Sequence, residues 1–385
     1  MTRLVVVALL ASATLAACGQ PLTLLPHRVA LESTSVSVPI ELVGHLPFVR
    51  ARVGDGPWLR GLLDTGAGGL LLTPHGAEVA HVPMQPRTIL VNGVDGPAQR
   101  SVPVAKVRRL RMERLTLEDV HALVVPDLAE LGEVVGEPVD LVVGSTLFGA
   151  NLVTLDLERG SLTVEHGVLL PGPMVLAAGF ASDVPHVRIT VGGVSLVATV
   201  DTGCSGWLAL PDELATRLPL RRAARPGPKH IGVNGEGRDR WGRLDGEVQV
   251  GPYVLVDTPV EFTSGEPRIC AQLLRYFRIT IDQRHGRVRL SREGDARVLV
   301  PAERTTGLGV LKRNGVWIVA DLIPGLAPAG VALLDVVERM EGRLAAPLTR
   351  ADWMEAQRAE HVRLTLLRDG QRIEVDVPVR EVGSI

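Results

Sequence analysis

The sequence is poor in cysteine, carries no large excess of charge and lacks the common metal and phosphate motifs. Three cysteines among 385 residues cannot build a disulfide scaffold, and no Cys-x-x-Cys pair indicates structural zinc. A net charge of −2 argues against nucleic acid as a main partner, because phosphate binding needs clustered Lys and Arg. The motifs His-Glu-x-x-His, Gly-x-Ser-x-Gly and Gly-x-x-x-x-Gly-Lys are absent, which argues against metallopeptidases, serine hydrolases and P-loop proteins.

Glycine and proline are abundant instead. The 41 glycines and 27 prolines favour turns and short strands over long helices. A chain of 385 residues is too long for one average domain and indicates two or three. We therefore expect a mostly β protein with several domains.

The first 18 residues have the pattern of a secretory signal. Arg3 supplies a positive charge, and the apolar run from Leu4 to Ala17 is shorter than the roughly 20 residues that span a bilayer. The run ends in Leu15-Ala16-Ala17-Cys18, which resembles a bacterial lipobox. That resemblance implies a lipid on Cys18. The alternative is an ordinary signal peptide with an accidental cysteine.

A lipid on Cys18 would place the protein in the cell envelope of a bacterium, anchored to a membrane and facing the periplasm or the exterior. We expect residues 19–37 to be a spacer, because they show little periodic pattern. No later segment reaches the length that would span a membrane.

Two long stretches of the chain, Val49 to Val164 and Val187 to Leu290, resemble each other. Each begins with an alternating strand and a glycine-containing hairpin, continues with an apolar strand into Asp-Thr-Gly, and ends in a similar pair of strands. A repeat of this length indicates a duplicated β domain. The predicted divisions are 38–166 for lobe 1, 167–184 for a linker and 185–292 for lobe 2.

The two Asp-Thr-Gly motifs resemble the active-site signature of the pepsin and retropepsin clan of aspartic proteases, over about residues 40–292. The resemblance implies two acid-protease-like closed barrels related by a pseudo-two-fold axis. Asp64 and Asp201 would then share one proton, since two carboxylates that close cannot both ionise cheaply. One would act as general base on water and the other would polarise the peptide carbonyl, with no metal or other cofactor.

The same resemblance assigns supporting residues around the two aspartates. Thr65 and Thr202 would bond across the axis, while Gly66 and Gly203 would let the loops turn tightly. An apolar-apolar-Gly strand braces each loop in the family. Here the brace would be Leu141-Val142-Val143-Gly144 in lobe 1 and Ile269-Cys270-Ala271 in lobe 2, where Ala replaces Gly.

Each half also contains a candidate flap, with Asn92-Gly93 in lobe 1 and Asn234-Gly235 in lobe 2. Asn-Gly is a strong hairpin signal. Two flaps resemble a retroviral-type dimer fused into one chain, which implies a monomer with a pseudo-dimeric active site. The alternative is a pair of surface hairpins that cover nothing.

Two cysteines fall beside the second motif. Cys204 follows Asp-Thr-Gly directly and Cys270 belongs to the expected brace, so a disulfide is open to them, although we favour two buried thiols. Pepsin-like sites carry Ser or Thr after Asp-Thr-Gly, which favours ionisation of the carboxyl. Ala67 has no donor and Cys204 a weak one, so we expect pKa values above those of pepsin and activity nearer neutral pH.

Residues 303–382 resemble a PDZ domain, which implies a β+α fold. The stretch Gly307-Leu308-Gly309-Val310 is similar to the loop that binds a peptide carboxylate, and two strands joined by Asp369-Gly370 follow later. Such a domain would recruit C-terminal peptides by adding a strand to its sheet edge. The alternative is a small module that packs against the protease.

These features predict a lipid-anchored aspartic endopeptidase that hydrolyses peptide or protein substrates. One rival is a non-catalytic envelope scaffold that binds peptides with the same fold. A second rival is a self-processing or regulated peptidase that stays inactive until a partner or a lipid surface engages it.

Overall fold

The computed structural model describes residues 24–92, 99–149, 151–232 and 235–382. The expected signal peptide and Cys18 lie outside the described residues. The chain is mostly β, as predicted. Within the described residues, no helix has both the length and the apolar character needed to cross a membrane.

The first half of the described chain consists of short strands and two helices. Its strands are β1 (Arg28–Leu31), β2 (Ser35–Pro39), β3 (Glu41–Val43), β4 (Leu46–Val53), β5 (Trp58–Leu63), β6 (Leu70–Leu72), β7 (Met84–Asn92), β8 (Gln99–Met112), β9 (Leu115–Val124), β10 (Leu141–Val143), β11 (Leu152–Asp156) and β12 (Ser161–Glu165). Its helices are α1 (Pro74–Val79), α2 (Leu128–Val135) and a 3-10 turn at Ser145–Leu147.

The second half repeats this arrangement with less helix. Its strands are β13 (Val175–Gly179), β14 (His186–Val191), β15 (Val194–Asp201), β16 (Leu208–Pro211), β17 (Arg225–Gly232), β18 (Gly235–Arg243), β19 (Glu247–Val250), β20 (Tyr253–Val256), β21 (Pro259–Thr263), β22 (Arg268–Cys270), β23 (Arg278–Asp282), β24 (Arg287–Ser291) and β25 (Arg297–Leu299). Its helical segments are α3 (Ala271–Leu274) and 3-10 turns at Ala181–Asp183, Asp212–Thr216 and Gln283–His285.

The two halves pair their strands in the same way. In the first, β5 lies antiparallel to β4 and parallel to β10, β10 lies antiparallel to β6, and β6 lies parallel to β9. In the second, β15, β14, β22, β16 and β21 take the corresponding places with the same directions. The repeat seen in the sequence is therefore a repeat of strand topology. In both halves an apolar strand, β5 or β15, leads into the Asp-Thr-Gly loop.

The two halves meet in a shared sheet built from their last strands. Strand β11 pairs antiparallel with β23, which gives the order β13-β24-β23-β11-β12-β2. Thr154 and Thr280 face each other across this junction, with their hydroxyl oxygens 3.0 Å apart. Apolar residues from both lobes form one continuous core around it.

The strands of the structure do not follow the predicted divisions at three places. Residues 28–39, part of which we expected to be spacer, form β1 and β2, which pair with β9 and β12. Val36 and Val38 are buried between exposed residues, but the alternation is too short to stand out in the sequence. The linker 167–184 contains β13, which pairs with β14 and β24. Lobe 2 extends past residue 292, because β25 pairs with β20.

The C-terminal region is a small β+α unit. Its strands are β26 (Arg304–Thr305), β27 (Leu308–Arg313), β28 (Val316–Leu322), β29 (Val336–Met340), β30 (Arg343–Leu344), β31 (His361–Arg368), β32 (Gln371–Pro378) and β33 (Arg380–Glu381), and its helix is α4 (Arg350–Ala356). The main sheet has the order β27-β28-β29-β31-β32, and the predicted hairpin around Asp369-Gly370 joins β31 to β32. Trp317 and Trp353 pack edge to face in its core, with ring centroids 5.7 Å apart.

Candidate active site

The two Asp-Thr-Gly loops meet at the interface of the lobes. Asp64 follows β5 and Asp201 ends β15, and their side chains are 2% and 0% exposed. Their carboxyl groups lie close enough that each shifts the pKa of the other. Gly203 is required here, because a Cβ at this position would lie 2.4 Å from Asp64 Oδ2. The backbone of the second loop thus rests directly on the carboxyl of the first.

Reciprocal hydrogen bonds between two threonines join the loops. The backbone N–H of Thr65 donates to Thr202 Oγ1 at 3.0 Å, and that of Thr202 donates to Thr65 Oγ1 at 3.0 Å. Each hydroxyl then donates to the other lobe's backbone: Thr65 to the Val200 carbonyl at 2.5 Å and Thr202 to the Leu63 carbonyl at 2.8 Å. These four buried bonds fix the two aspartates relative to each other.

The backbone also holds one oxygen of each carboxyl. The N–H of Gly66 donates to Asp64 Oδ1 at 2.8 Å, while the N–H groups of Gly203 and Cys204 donate to Asp201 Oδ1 at 2.9 and 3.0 Å. Among the described residues, no N–H or hydroxyl donates to the buried Oδ2 of Asp201. A protonated carboxyl on Asp64 would supply the donor that this buried acceptor lacks.

The surroundings of Asp64 and Asp201 affect the pKa values of the two carboxyls differently. Burial, followed by the negative charge of Asp201, raises the pKa of Asp64 well above its ordinary value of 3.8. Burial also raises the pKa of Asp201, but there the positive charge of Arg268 opposes it. Both effects favour a state in which Asp64 is protonated and Asp201 is ionised.

The brace of lobe 1 is where the sequence predicted it. Val143 at the end of β10 pairs with Leu63, so Gly144 lies beside Asp64. The N–H of Gly144 donates to the Gly69 carbonyl at 2.9 Å. A Cβ on Gly144 would lie 2.2 Å from the carbonyl oxygen of Ala67, so the backbone contact requires glycine.

The brace of lobe 2 was assigned one residue out of register. The partner of Asp201 across β15 and β22 is Cys270, which makes Cys270, and not Ala271, the counterpart of Gly144. The N–H of Ala271 donates to the Cys204 carbonyl at 2.8 Å, as the N–H of Ser145 does to the Ala67 carbonyl in lobe 1. The sequence comparison missed this because it looked for a small residue in place of glycine.

The expectation of two free thiols is also wrong. Cys204 and Cys270 form a disulfide, with their Cα atoms 4.9 Å apart. Cys204 is the counterpart of Ala67 and Cys270 that of Gly144. The covalent bond therefore joins the same two backbone positions that touch in lobe 1.

Both candidate flaps are strand hairpins, although their tips lie outside the described residues. In lobe 1, β7 and β8 are paired up to Asn92 and Gln99, and Gly93 falls in the undescribed part. In lobe 2, Gly235 already belongs to β18 and pairs with Gly232. It is therefore not a central residue of the turn, contrary to the expectation. Asn234 lies outside the described residues.

The candidate carboxylate loop lies at the start of β27. Gly307 has a left-handed backbone with φ 74°, and Leu308 and Val310 are buried strand residues. Gly309 pairs with Asp321 in the neighbouring strand. The four predicted residues are therefore contiguous with the edge strand of the C-terminal sheet.

Lobe 1 already occupies part of this edge. The Val310 carbonyl accepts a 3.0 Å hydrogen bond from Arg350 Nη2, which also donates to the carbonyl of Val134 in α2. Arg350 is buried, and desolvation lowers its pKa to about 10. Leu311 packs in the same apolar cluster as the buried face of α2. No sequence pattern predicts this contact, because Arg350 lies in an otherwise ordinary capped helix.

Arg268 is the other site residue that the sequence analysis missed. It is 1% exposed on β22, two positions before Cys270. A lone arginine in the stretch Pro267-Arg268-Ile269-Cys270 was the available signal, since strands buried on both faces are otherwise apolar. Within the described part of the chain, no group of three His, Cys, Asp or Glu residues is placed to hold a metal ion.

Comparison with known proteins agrees with this geometry for the first lobe. Residues 49–147 match a protein family described as aspartyl protease. The match begins in β4, includes the Asp64 loop and ends in the 3-10 turn after the Gly144 brace. A search of curated proteins finds no match to the chain. The first lobe is thus similar to the aspartyl proteases, which indicates a peptidase.

Proposed function

We propose that the protein is an aspartic endopeptidase in which Asp64 and Asp201 form the catalytic dyad. The observation that carries the proposal is the pair itself: two buried carboxyls, one from each lobe, on loops that reciprocal threonine hydrogen bonds hold together. Structural aspartates buried in this way are costly unless they are paired with cations or used in chemistry. Thr65, Gly66, Thr202 and Gly203 support the pair through the bonds described above.

The asymmetry of the pair assigns the roles. Ionised Asp201 removes a proton from a bound water, and the hydroxide attacks the peptide carbonyl while Asp64 donates its proton to the carbonyl oxygen. In the second step Asp201 returns its proton to the leaving nitrogen, the C–N bond breaks and a hydroxyl proton of the intermediate goes back to Asp64. The pair ends as it began. The backbone N–H groups hold both carboxyls in place throughout, so little reorganisation is needed.

We interpret each lobe as a closed barrel and the C-terminal region as a PDZ-like domain. The additional pairing of β8 with β9 supports closure in lobe 1, because it links the two ends of a run of paired strands. The sheet order and the helix between β30 and β31 support the PDZ-like interpretation. Its main role is to pack on lobe 1, since Arg350 and α2 occupy the edge at Val310. Recruitment of a C-terminal peptide would require that contact to open.

We retain the proposal that Cys18 carries a lipid and holds the protein in the bacterial cell envelope. It rests on the lipobox-like sequence alone. Replacement of Cys18 by Ala, with fractionation of cells that express the full chain, tests it. Wild type is expected in the membrane fraction and the variant outside it, and equal distribution of the two would contradict the anchor.

The test of the enzymatic proposal is digestion of a peptide library by the full-length protein, followed by mass spectrometry. Wild type is expected to cleave peptides, with pepstatin as inhibitor, and Asp64→Asn and Asp201→Asn are expected to cleave none. Equal cleavage by all three proteins would show that the activity belongs to a contaminant. Binding of peptides without cleavage by folded wild type would favour the non-catalytic scaffold. Cleavage that starts only after a partner or lipid vesicles are added would favour the regulated peptidase.

A further inference from the structure

The layer of side chains beside each active-site strand differs between the lobes. The register of four neighbouring strands makes the positions equivalent one by one. In lobe 1 the layer is fully apolar, and in lobe 2 it holds two charged residues. The equivalent residues are Leu62, Val142, Leu71 and Leu123 in lobe 1, and Thr199, Arg268, Ala209 and Glu261 in lobe 2.

Arg268 is the unusual member of this layer. It replaces the buried Val142 of lobe 1, and within the described residues none of its three guanidinium nitrogens has a hydrogen-bond partner. Arginine stays charged in proteins, so an unpaired buried guanidinium is expensive. Its strand pairs with the three residues that end in Asp201. Arg268 is thus opposite Thr199, two residues before Asp201, and its positive charge lowers the pKa of Asp201.

We propose that Arg268 is a positioning residue that keeps the negative charge of the pair on Asp201 and leaves the shared proton on Asp64. A fixed positive charge on one side of a two-fold pair stabilises the ionised form of the nearer carboxyl. The Oδ2 of Asp201, to which no N–H or hydroxyl donates among the described residues, fits this state, because it is free to accept a hydrogen bond from a protonated Asp64. The inference rests on the proposed function, and it deepens it by naming the residue that determines which aspartate is the base.

The other charged groups around Asp201 do not supply this effect. The acidic groups oppose ionisation of Asp201. Another arginine, Arg243 on β18, is already paired with Asp257 at 2.7 Å. Glu261 faces the layer from β21, and Asp239 lies on the same sheet face by the register of β18. The groups are Asp64, Glu261, Asp239, Glu303 at the Trp207 indole, and the pair Arg243–Asp257.

The test measures which carboxyl ionises first, by ¹³C NMR titration of the full-length protein labelled at aspartate carboxyls. Asp64→Asn and Asp201→Asn assign the two resonances. In wild type, the Asp201 resonance is expected to move mainly at the lower titration step and the Asp64 resonance at the upper one. If Asp64 moves at the lower step, the proposal is overturned whatever the variants do.

Variants then test whether Arg268 is the cause. Arg268→Met removes the positive charge and leaves Glu261 in place, and it is expected to raise the lower titration step by about one pH unit. Arg268→Lys, which keeps the charge, is expected to titrate like wild type. Arg188→Val, an exposed arginine on β14, is the matched control and should change neither step. If Arg268→Met does not fold, Arg268→Gln, which also removes the charge, replaces it.

Hydrolysis gives the second readout and separates the two proposals. The acidic limb of the kcat/KM profile is expected to shift with the lower titration step in the Arg268 variants. If the Arg268 variants lose stability while both titration steps and the acidic limb of the kcat/KM profile stay where they are in wild type, the role of Arg268 is purely structural and the inference is overturned. If wild type cleaves no peptide, the proposed function fails, while the titration still decides where the charge lies.

Discussion

The two lobes build the same Asp-Thr-Gly loop but brace it with different chemistry. In lobe 1, Gly144 touches the backbone at Ala67, and only the absence of a Cβ allows the contact. In lobe 2, Cys204 and Cys270 occupy the same two positions and are joined by a disulfide. The position of the loop is thus shared by both copies, while the means of holding it is not.

A second difference lies one layer further out. The layer beside Asp64 is apolar and packs with α2 and with Leu311 of the C-terminal region. The layer beside Asp201 contains Arg268 and Glu261. By contrast, the threonine bonds across the interface are nearly identical in the two directions. The duplicated halves keep what touches the carboxyls and vary what surrounds them, which gives a symmetric fold an asymmetric pair.

The largest expected effect comes from removing either carboxyl. Asp64→Asn and Asp201→Asn are each expected to lower kcat by about 10³-fold or more, because each removes one partner of a single acid–base unit. The double variant should be no worse than the single ones, since residues that act as a unit are not additive. Steady-state kinetics on one peptide measures this. A single variant that keeps most of the activity would break the equivalence of the lobes.

The next effect comes from giving lobe 2 the brace of lobe 1, with Cys204→Ala and Cys270→Gly. Loss of a disulfide that closes a loop of 66 residues is expected to lower the free energy of unfolding by about 4 kcal/mol. Urea denaturation measures it, and wild type in reductant should show the same loss. The backbone bonds of the brace remain, so the folded variant is expected to cleave peptide. Unchanged stability would mean that the disulfide adds nothing to the backbone contact.

A smaller effect is expected from Gly144→Ala in lobe 1. The new methyl group would collide with the Ala67 carbonyl, and overpacking of this kind costs about 1–3 kcal/mol. Gly172→Ala is the matched control, because its Cβ would meet nothing within 4 Å. Thermal denaturation of both variants gives the comparison. Equal melting temperatures would show that the backbone at Ala67 can shift to accommodate a methyl group on residue 144 at little cost in stability.

The smallest effect concerns the pH dependence of stability. Because the pKa of Asp64 is raised in the folded state, its contribution to stability is complete below the ordinary value of 3.8 and is lost as pH rises through the folded value. Asp64→Asn removes that loss, so its Tm relative to wild type is expected to rise between pH 3 and pH 7. Asp55→Asn, on an exposed side chain, is the control. If the Tm of Asp64→Asn relative to wild type decreases between pH 3 and pH 7, the pKa of Asp64 is not raised in the folded state.

The sequence predicted the repeat and the meeting of the two loops because both depend on short contiguous motifs. Asp64-Thr65-Gly66 and Asp201-Thr202-Gly203 each follow an apolar strand directly, and the two motifs are hydrogen-bonded to each other. The contacts that it missed are between residues far apart in sequence. Cys270 could not be aligned with Gly144 without the strand register, and the hydrogen bond from Arg350 to α2 joins residues 216 positions apart.

The boundaries were missed for a different reason. Strands β2 and β13 are short and polar on one face, so they resemble connecting segments until their partners are known. Pairing with β12 and β24 stabilises them in the fold. The fold class and the central pair could thus be inferred from local patterns, whereas the braces and the edges depend on tertiary contacts.

The dependence of kcat/KM on pH tests most directly the claim that two carboxyls from two lobes share one proton. The profile of wild type on one peptide is expected to be bell-shaped, because activity needs one aspartate ionised and the other protonated. Burial raises the pKa of both aspartates, and neither Ala67 nor the disulfide-bonded Cys204 offers a side-chain donor. The maximum of the profile should therefore lie nearer neutral pH than that of pepsin. A maximum below about pH 4, or a profile without two limbs, would contradict the account.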